Sequence, residues 1–218
     1  MTMKLFSYWR SSASWRVRIA LHLKGLAFEY VPVKLLEGEQ RAASHRGRNP
    51  MEQVPALEIE LGGTPRLVAQ SIAILELLEE LHPEPPILPR DPFLRARARE
   101  LAEIVNSGIQ PHQNIGPTAR IDALRAGAGK ESAIHFNEVG LGALEERARE
   151  TAGRFLVGDR PTIADLCLVP QLASARRFGV TDVEGRFPLL VRVEAACAAL
   201  PAFAAALPEN QPDAPGKA

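Results

Sequence analysis

The sequence predicts a two-domain α+β protein: a βαβ unit running into a ββα unit, followed by an all-helical domain. Three observations carry this. Short apolar runs of strand type alternate with helix-period stretches only as far as Leu81. A tract from His82 to Pro89, with four prolines in eight residues, is too proline-rich for helix or strand. From Asp91 onward apolar residues recur only at helical spacing. The implied division is a first domain over 1–82, a linker over 83–90 and a helical domain over 91–218. With 218 residues, 46% hydrophobic and 24% charged, the chain can bury a core in either part. Lys plus Arg number 26, as do Asp plus Glu, so no net field draws in nucleic acid or an anionic membrane. An anionic ligand must be held by a local site.

In the first domain, Met3–Trp9 reads as a strand. A helix follows from about Ser12 to Lys24, closed by Gly25 as its C-terminal cap. Ala13, Val17, Ala20 and Leu21 share one helix face, Arg16 leans inward between Ala20 and Leu23, and Arg18 and His22 fall on the far side. A partly buried arginine needs an anionic or carbonyl partner, which singles out Arg16. Phe28–Lys34 reads as a second strand, parallel to the first through the helical crossover. Leu36–Arg48 is polar and irregular. The loop Asn49–Leu57 carries two prolines into a strand over Ala56–Glu60, and Gly62-Gly63 turns it into a short strand at Arg66–Ala69. Gln70 and Ser71 open an amphipathic helix, Ile72–Leu81. This order, within about 80 residues, is the thioredoxin-like arrangement.

In the helical domain, Pro92–Ser107 forms a helix that Gly108 and Pro111 interrupt, and Glu131–Glu150 forms a long one in which Gly140 and Gly142 mark close approach of a neighbour. Thr162 with Asp165 three residues later is a capping box, and the apolar run Leu166–Val169 behind it belongs to a buried central helix. Val191–Leu207 reads as one alanine-rich helix and Gln211–Ala218 as a polar, mobile tail. Cys167 and Cys197 lie in apolar patterns without metal-ligand spacing, as reduced core cysteines do. His22, His45, His82, His112 and His135 are scattered, so no metal site is expected. No signal-peptide pattern and no apolar run near ~20 residues is present, which makes the cytoplasm the expected location and excludes a membrane partner.

Ser11, Ser12 and Ser14 mark the start of the first helix, where side-chain oxygens accept the unpaired amides of the opening turn. The same turn carries the positive end of the helix dipole and suits an anion such as a thiolate. An ordinary serine cap accounts for these residues equally well. The energetics are adequate for a thiolate: moving a thiol from a pKa near 8.5 down by ~2 units takes roughly 2.7 kcal/mol. A hydroxyl hydrogen bond to a charged acceptor supplies about 1.5–3 kcal/mol and a helix N-terminus ~0.3–1 more.

Five segments in order, Arg10–Leu21, Gln53–Pro55, Gln70–Ser71, Gln110–Asn114 and Gly158–Gln171, resemble those of zeta-class glutathione transferases, and the resemblance covers nearly the whole chain. It implies glutathione as cofactor. The activating hydroxyl maps to Ser11, with Ser12 and Ser14 close by, and catalysis is assigned to Ser11, Ser12, Arg10 and Arg16. Val54 meets the cysteinyl backbone of glutathione ahead of a cis Pro55. Gln70 and Ser71 hold the γ-glutamyl carboxylate, and Gln40, Gln110 and Asn114 are further contacts. The implied reaction is cis–trans isomerisation of maleylacetoacetate by thiolate addition, rotation and elimination. The substrate is then a small keto-diacid, whose anionic ends call for cations: Arg10 and Arg16 beside the serine turn, Arg176 and Arg177 after the buried helix. Isomerisation of maleylpyruvate, general conjugation or dehalogenation of α-halo acids, and glutathione binding without turnover are the alternatives. Ala13 departs from the cysteine usual at that position in the family. The resemblance also implies a homodimer.

Overall fold

The sheet is built outward from its first strand. In the computed structural model, which describes residues 2–217, β1 (Met3–Ser7) pairs in parallel with β2 (Glu29–Pro32) and antiparallel with β3 (Ala56–Leu61), and β3 pairs antiparallel with β4 (Thr64–Ala69). The strand order is β2-β1-β3-β4. Between β1 and β2 lies α1 (Ser12–Leu23), and after β4 comes α3 (Ser71–Leu81). The irregular stretch between β2 and β3 holds two 3₁₀ turns, Leu35–Glu37 and Glu39–Arg41, and the short α2 (Ala43–Arg46). Gly25 ends α1 with φ 64°, the left-handed conformation a helix stop requires.

The last part of the chain departs from expectation. Pro201 breaks the anticipated helix over Val191–Leu207 into α9 (Pro188–Ala198) and α10 (Pro201–Ala205), since a proline cannot supply the amide a continuing helix needs. The chain forms two compact units, one of residues up to Pro86 together with those from Leu200 on, the other Ile87–Ala199. The segment expected to trail as a mobile tail is packed instead. Gln211 is buried, its amide nitrogen donating to the carbonyls of Ala205 and Leu207 at 3.1 and 2.8 Å, and Ala214 is buried as well.

That packing changes the reading of α1. Ala13, Val17, Ala20 and Leu21 are buried as the helical wheel requires, but Arg18, placed on the solvent side, is 0% exposed. Its far side is covered by the segment beginning at α10, and Arg18 Nε donates to the Ala206 carbonyl at 3.2 Å. At the other end of α1, Lys24 is buried with its ammonium fully used: it donates to Glu79 Oε2 at 2.7 Å and to the carbonyls of His82 and Pro85 at 2.6 and 3.0 Å. Three acceptors match the three donors of the group, and they tie the stretch after α3 to α1.

The helical unit contains α4 (Pro92–Asn106), α5 (Ile115–Asp122), α6 (Ala128–Ala148), α7 (Ile163–Phe178), α8 (Val183–Arg186) and α9. Helix α5 was not legible as a separate element. The expected close approach exists at Gly140, where a Cβ would stand 2.2 Å from Ile109 Cγ1, but nothing lies near Gly142. Helix α7 is the buried centre and packs against α4, α6 and α9. Its N-terminus is the expected capping box: Thr162 donates its amide and hydroxyl to Asp165 Oδ2 at 2.7 and 3.0 Å, and the Leu156 amide donates to Oδ1 at 2.9 Å. Both cysteines are buried free thiols.

Burial opposes these hydrogen bonds at Asp165 and wins, pushing its carboxyl up to about 6 from an ordinary 3.8. A raised folded-state value means that the stabilisation by this group is complete below pH 3.8 and is lost as the pH rises through about 6. Urea midpoints of wild type and Asp165→Asn therefore draw together, or cross, between pH 4 and 7 as wild type loses its advantage. An advantage of wild type that grows with pH shows that the three donated bonds outweigh desolvation.

Candidate active site

The strand register determines what meets at one end of the sheet. Ser7 at the end of β1 lies beside Pro32 at the end of β2, Phe6 opposite Ala56 at the start of β3, and Ala56 opposite Ala69 at the end of β4. The chain leaves this edge at Tyr8–Ser11, arrives at it through Val54-Pro55, and leaves again at Gln70-Ser71. Three of the sequence motifs, separated by tens of residues along the chain, therefore share one end of one sheet. Beneath them lies an apolar cluster of Phe6, Tyr8, Val33, Val54 and Ala56, with Trp9 packed against it.

Ser11 is the N-cap of α1, with extended backbone (φ −68°, ψ 117°), and its Oγ accepts the Ser14 amide at 3.2 Å. Its hydroxyl hydrogen is thereby left to donate elsewhere. Ser11 and Ser12 are half-buried and Arg10 is exposed, its guanidinium 5.6 Å from the centre of the Trp9 ring. Ser14 departs from expectation: it is wholly buried, so it shapes the turn through its amide and presents no surface to a ligand.

The Val54–Pro55 peptide is cis, as the resemblance implied. The preceding carbonyl, of Gln53, is gripped twice, by His45 Nε2 and by Asn49 Nδ2, each at 2.9 Å. His45 is buried, and because a carbonyl oxygen can only accept, its Nε2 is the donor in this contact. Sequence reasoning missed both residues, and their only signal was proximity to the proline loop. Gln40 is buried on the 3₁₀ turn Glu39–Arg41, and its Oε1 is enclosed with no hydrogen-bond partner among the described residues.

Gln70 occupies the N-cap of α3 at φ 72°, ψ 118°, a conformation that costs a non-glycine residue about 1–3 kcal/mol. Its side chain is exposed, while Ser71 is buried. Arg16 Nη1 donates to Ser71 Oγ at 3.1 Å, which joins the N-terminal half of α1 to the first residue of α3. Arg16 is 0% exposed. The expectation that it meets substrate is corrected: an arginine sealed under two helices positions them and offers no face to a diffusing diacid. The inward lean on the helical wheel was right, and the partner is a serine hydroxyl within the fold.

In the helical unit, Gln110 Nε2 donates to Asn114 Oδ1 at 3.1 Å, so these two expected contacts touch each other. Gln110 opens and Asn114 caps the 3₁₀ turn Gln110–Gln113, which is anchored by a buried amide triad. Gln113 Oε1 accepts from Asn137 and from Gln171, both at 3.0 Å, and Gln171 Nε2 also donates to Asn137 Oδ1 at 2.6 Å. Arg176 is corrected too. Its guanidinium forks onto both oxygens of Glu194 at 2.8 and 2.7 Å and its Nε donates to Glu184 at 3.2 Å, so its donors are taken up within the unit. Arg177 has Nη2 on Ser174 Oγ at 3.0 Å and its guanidinium 4.6 Å from the Phe178 ring centre.

Comparison with known proteins identifies the family. The family model for the glutathione S-transferase N-terminal domain matches residues 1–80 and that for the C-terminal domain matches residues 131–201. The probable maleylacetoacetate isomerase 2 of Drosophila melanogaster is 45% identical over 213 residues, 97% of this chain and 90% of that protein. A crystal structure of maleylacetoacetate isomerase from Anaeromyxobacter dehalogenans, with glutathione bound in the active site, is 56% identical with a TM-score of 0.91, covering 98% of each chain. A holo structure of a bacterial zeta-class maleylpyruvate isomerase is 38% identical with a TM-score of 0.89, covering 97% of this chain and 99% of that one. Two matched domains in order and relatives of such identity along the whole chain establish that this protein belongs to the glutathione S-transferase family.

Proposed function

We propose that this protein is a glutathione-dependent cis–trans isomerase whose substrate is maleylacetoacetate, acting in aromatic amino-acid breakdown in the cytoplasm as a homodimer. The observation that carries the reading is the half-buried Ser11 hydroxyl at the start of α1, on the same sheet edge as Val54-Pro55 and Gln70-Ser71. The names of the full-length relatives support the choice of substrate.

The residues present fit glutathione. The tripeptide brings two carboxylates, an ammonium and peptide groups, and the sheet end offers matching partners in the backbone at Val54 and the donors at the start of α3, with Gln40 on the turn after β2 assigned as a further contact. When bound, glutathione supplies a thiolate that adds reversibly to the maleyl double bond. The chain's own part is electrostatic. Ser11 donates its hydroxyl hydrogen to the sulfur, and the opening turn of α1, whose amides point out of the helix, favours negative charge there. Ser12 adds a second hydroxyl to that turn, and Arg10 supplies an exposed cation for a carboxylate. Arg177, with Nη2 on Ser174 Oγ and its guanidinium against the Phe178 ring, is the second substrate cation in this reading. Gln70, Ser71, Gln110 and Asn114 complete the binding set.

Maleylpyruvate is the second reading, favoured by the likeness to a zeta-class maleylpyruvate isomerase. Turnover of the two diacids with saturating glutathione separates them: a specificity constant for maleylacetoacetate at least tenfold the greater supports the first, and a tenfold preference for maleylpyruvate overturns it. Binding of glutathione by calorimetry with turnover of neither diacid overturns both. Ser11→Ala lowers kcat/KM by about a hundredfold, as loss of one donor to a developing anion does, and raises the pH at which bound glutathione ionises. An unchanged titration removes Ser11 from that role. Arg177→Ala raises KM for the diacid by about tenfold or more, whereas Arg176→Ala leaves KM within about threefold and lowers the melting temperature. The reverse pattern assigns the substrate cation to Arg176.

A further inference from the structure

Trp9 stands two residues before Ser11, and both polar groups of its backbone are held by side chains from elsewhere. Its amide donates to Asp213 Oδ2 at 3.0 Å, and its carbonyl accepts from Arg18 Nη2 at 3.0 Å. Arg18 Nη1 also donates to Ser7 Oγ at 3.2 Å and to the Tyr8 carbonyl at 3.4 Å, the carbonyl that accepts the Ser11 amide at 3.0 Å. Asp213 is itself fixed, with Oδ1 accepting the Tyr30 hydroxyl at 2.6 Å, and the turn that presents it is held by Gln211 on the carbonyls of Ala205 and Leu207. Beyond Ser7 the strand ladder of β1 ends, so the Trp9 amide has no sheet partner and a carboxylate takes that place.

We propose that Asp213 and Arg18 are positioning residues for the thiolate site: the segment after α10 reaches back to the β1–α1 loop and sets the height of the Ser11 hydroxyl by holding the Trp9 peptide from both sides. The claim rests on the reading of Ser11 as the thiolate's donor. Neither residue touches the reacting atoms. A hydrogen bond to sulfur is steeply dependent on geometry, so a loop freed to move by a few tenths of an ångström loses part of the preference for the anion. A carboxylate of the segment around 206–214 thereby becomes part of the catalytic apparatus at the opposite end of the chain. The buried state of Arg18 follows as well. Its guanidinium spends its donors on three backbone carbonyls and one hydroxyl, a use for which a solvated surface arginine has no need.

The test compares Asp213→Ala, Asp213→Asn and Ser11→Ala with wild type by two readouts. The first is amide hydrogen exchange at Trp9 and Ser11 in glutathione-free protein. The second is the ultraviolet absorbance of the thiolate of bound glutathione as a function of pH. Asp213→Ala is expected to speed exchange at Trp9 about tenfold and to lower the thiolate fraction at pH 6.5 by about three- to tenfold. Asp213→Asn keeps an oxygen acceptor opposite the Trp9 amide and is expected to recover at least half of both effects. If Ser11→Ala shifts the titration and Asp213→Ala does not, the clamp is wrong and the reading of Ser11 stands. If neither shifts it, the reading of Ser11 fails and the clamp falls with it. Where Asp213→Ala does not fold, Tyr30→Phe decides: it frees one oxygen of Asp213 and is expected to shift the titration in the same direction by about twofold, and an unshifted titration overturns the proposal.

Discussion

The antiparallel register Phe6↔Ala56↔Ala69 is the constraint on which the site depends. Because side chains and backbone hydrogen bonds alternate with a period of two, a slip of one residue in β3 would turn the apolar face of the strand outward and carry Val54-Pro55 away from the start of α1. The buried cluster of Phe6, Tyr8, Val33, Val54 and Ala56 is what opposes such a slip, since Val54 and Ala56 would be drawn away from Phe6, Tyr8 and Val33. Chemistry and stability are thus coupled through the same residues: the apolar contacts that hold the sheet edge also set the spacing of the polar loops above them.

A second principle recurs around α1, where burial of a cation is tolerated only when the fold supplies its partners. Arg18 meets carbonyls and a hydroxyl, Arg16 meets Ser71, and Lys24 meets Glu79 and two carbonyls. Each joins α1 to a segment far along the chain, to the stretch after α10, to α3 and to the residues after α3 respectively. Desolvation pulls Arg18 down to about 10, which leaves it protonated at neutral pH and still a donor. Tyr30, pushed upward by burial and by its bond to Asp213, stays a neutral donor in turn. The helix that presents Ser11 is therefore fastened on several sides by charge-assisted bonds with defined directions, which an apolar contact alone would not provide.

Much of this was legible in the sequence because it is local. The alternation of strand and helix periods, Gly25 as a stop, the Thr162/Asp165 box and the hairpin at Gly62-Gly63 are each written within a few residues. The resemblance supplied the cis Val54–Pro55 bond, which spacing alone does not reveal. What escaped was non-local. Arg18 was placed toward solvent because the periodicity of α1 contains no trace of a segment nearly 190 residues later that covers it. The same ignorance made Gln211 and Asp213 look like a tail. Arg16 was singled out correctly as an arginine needing a partner and Arg176 was expected to meet substrate, yet Ser71 and the pair Glu184 and Glu194, which they meet, lie in the fold. Pro201, inside the stretch read as one alanine-rich helix, is where that helix divides.

In the proposed complex glutathione lies along the sheet end assembled by this register, with its sulfur at the opening turn of α1. Amide hydrogen exchange with and without saturating glutathione tests it most directly. New protection is expected at Ser11–Ser14, at Val54 and at Gln70–Ile72, with no change at the Gly62-Gly63 turn on the opposite end of the β3–β4 hairpin. Protection concentrated at that turn, or absent from all three loops while glutathione binds, would contradict it.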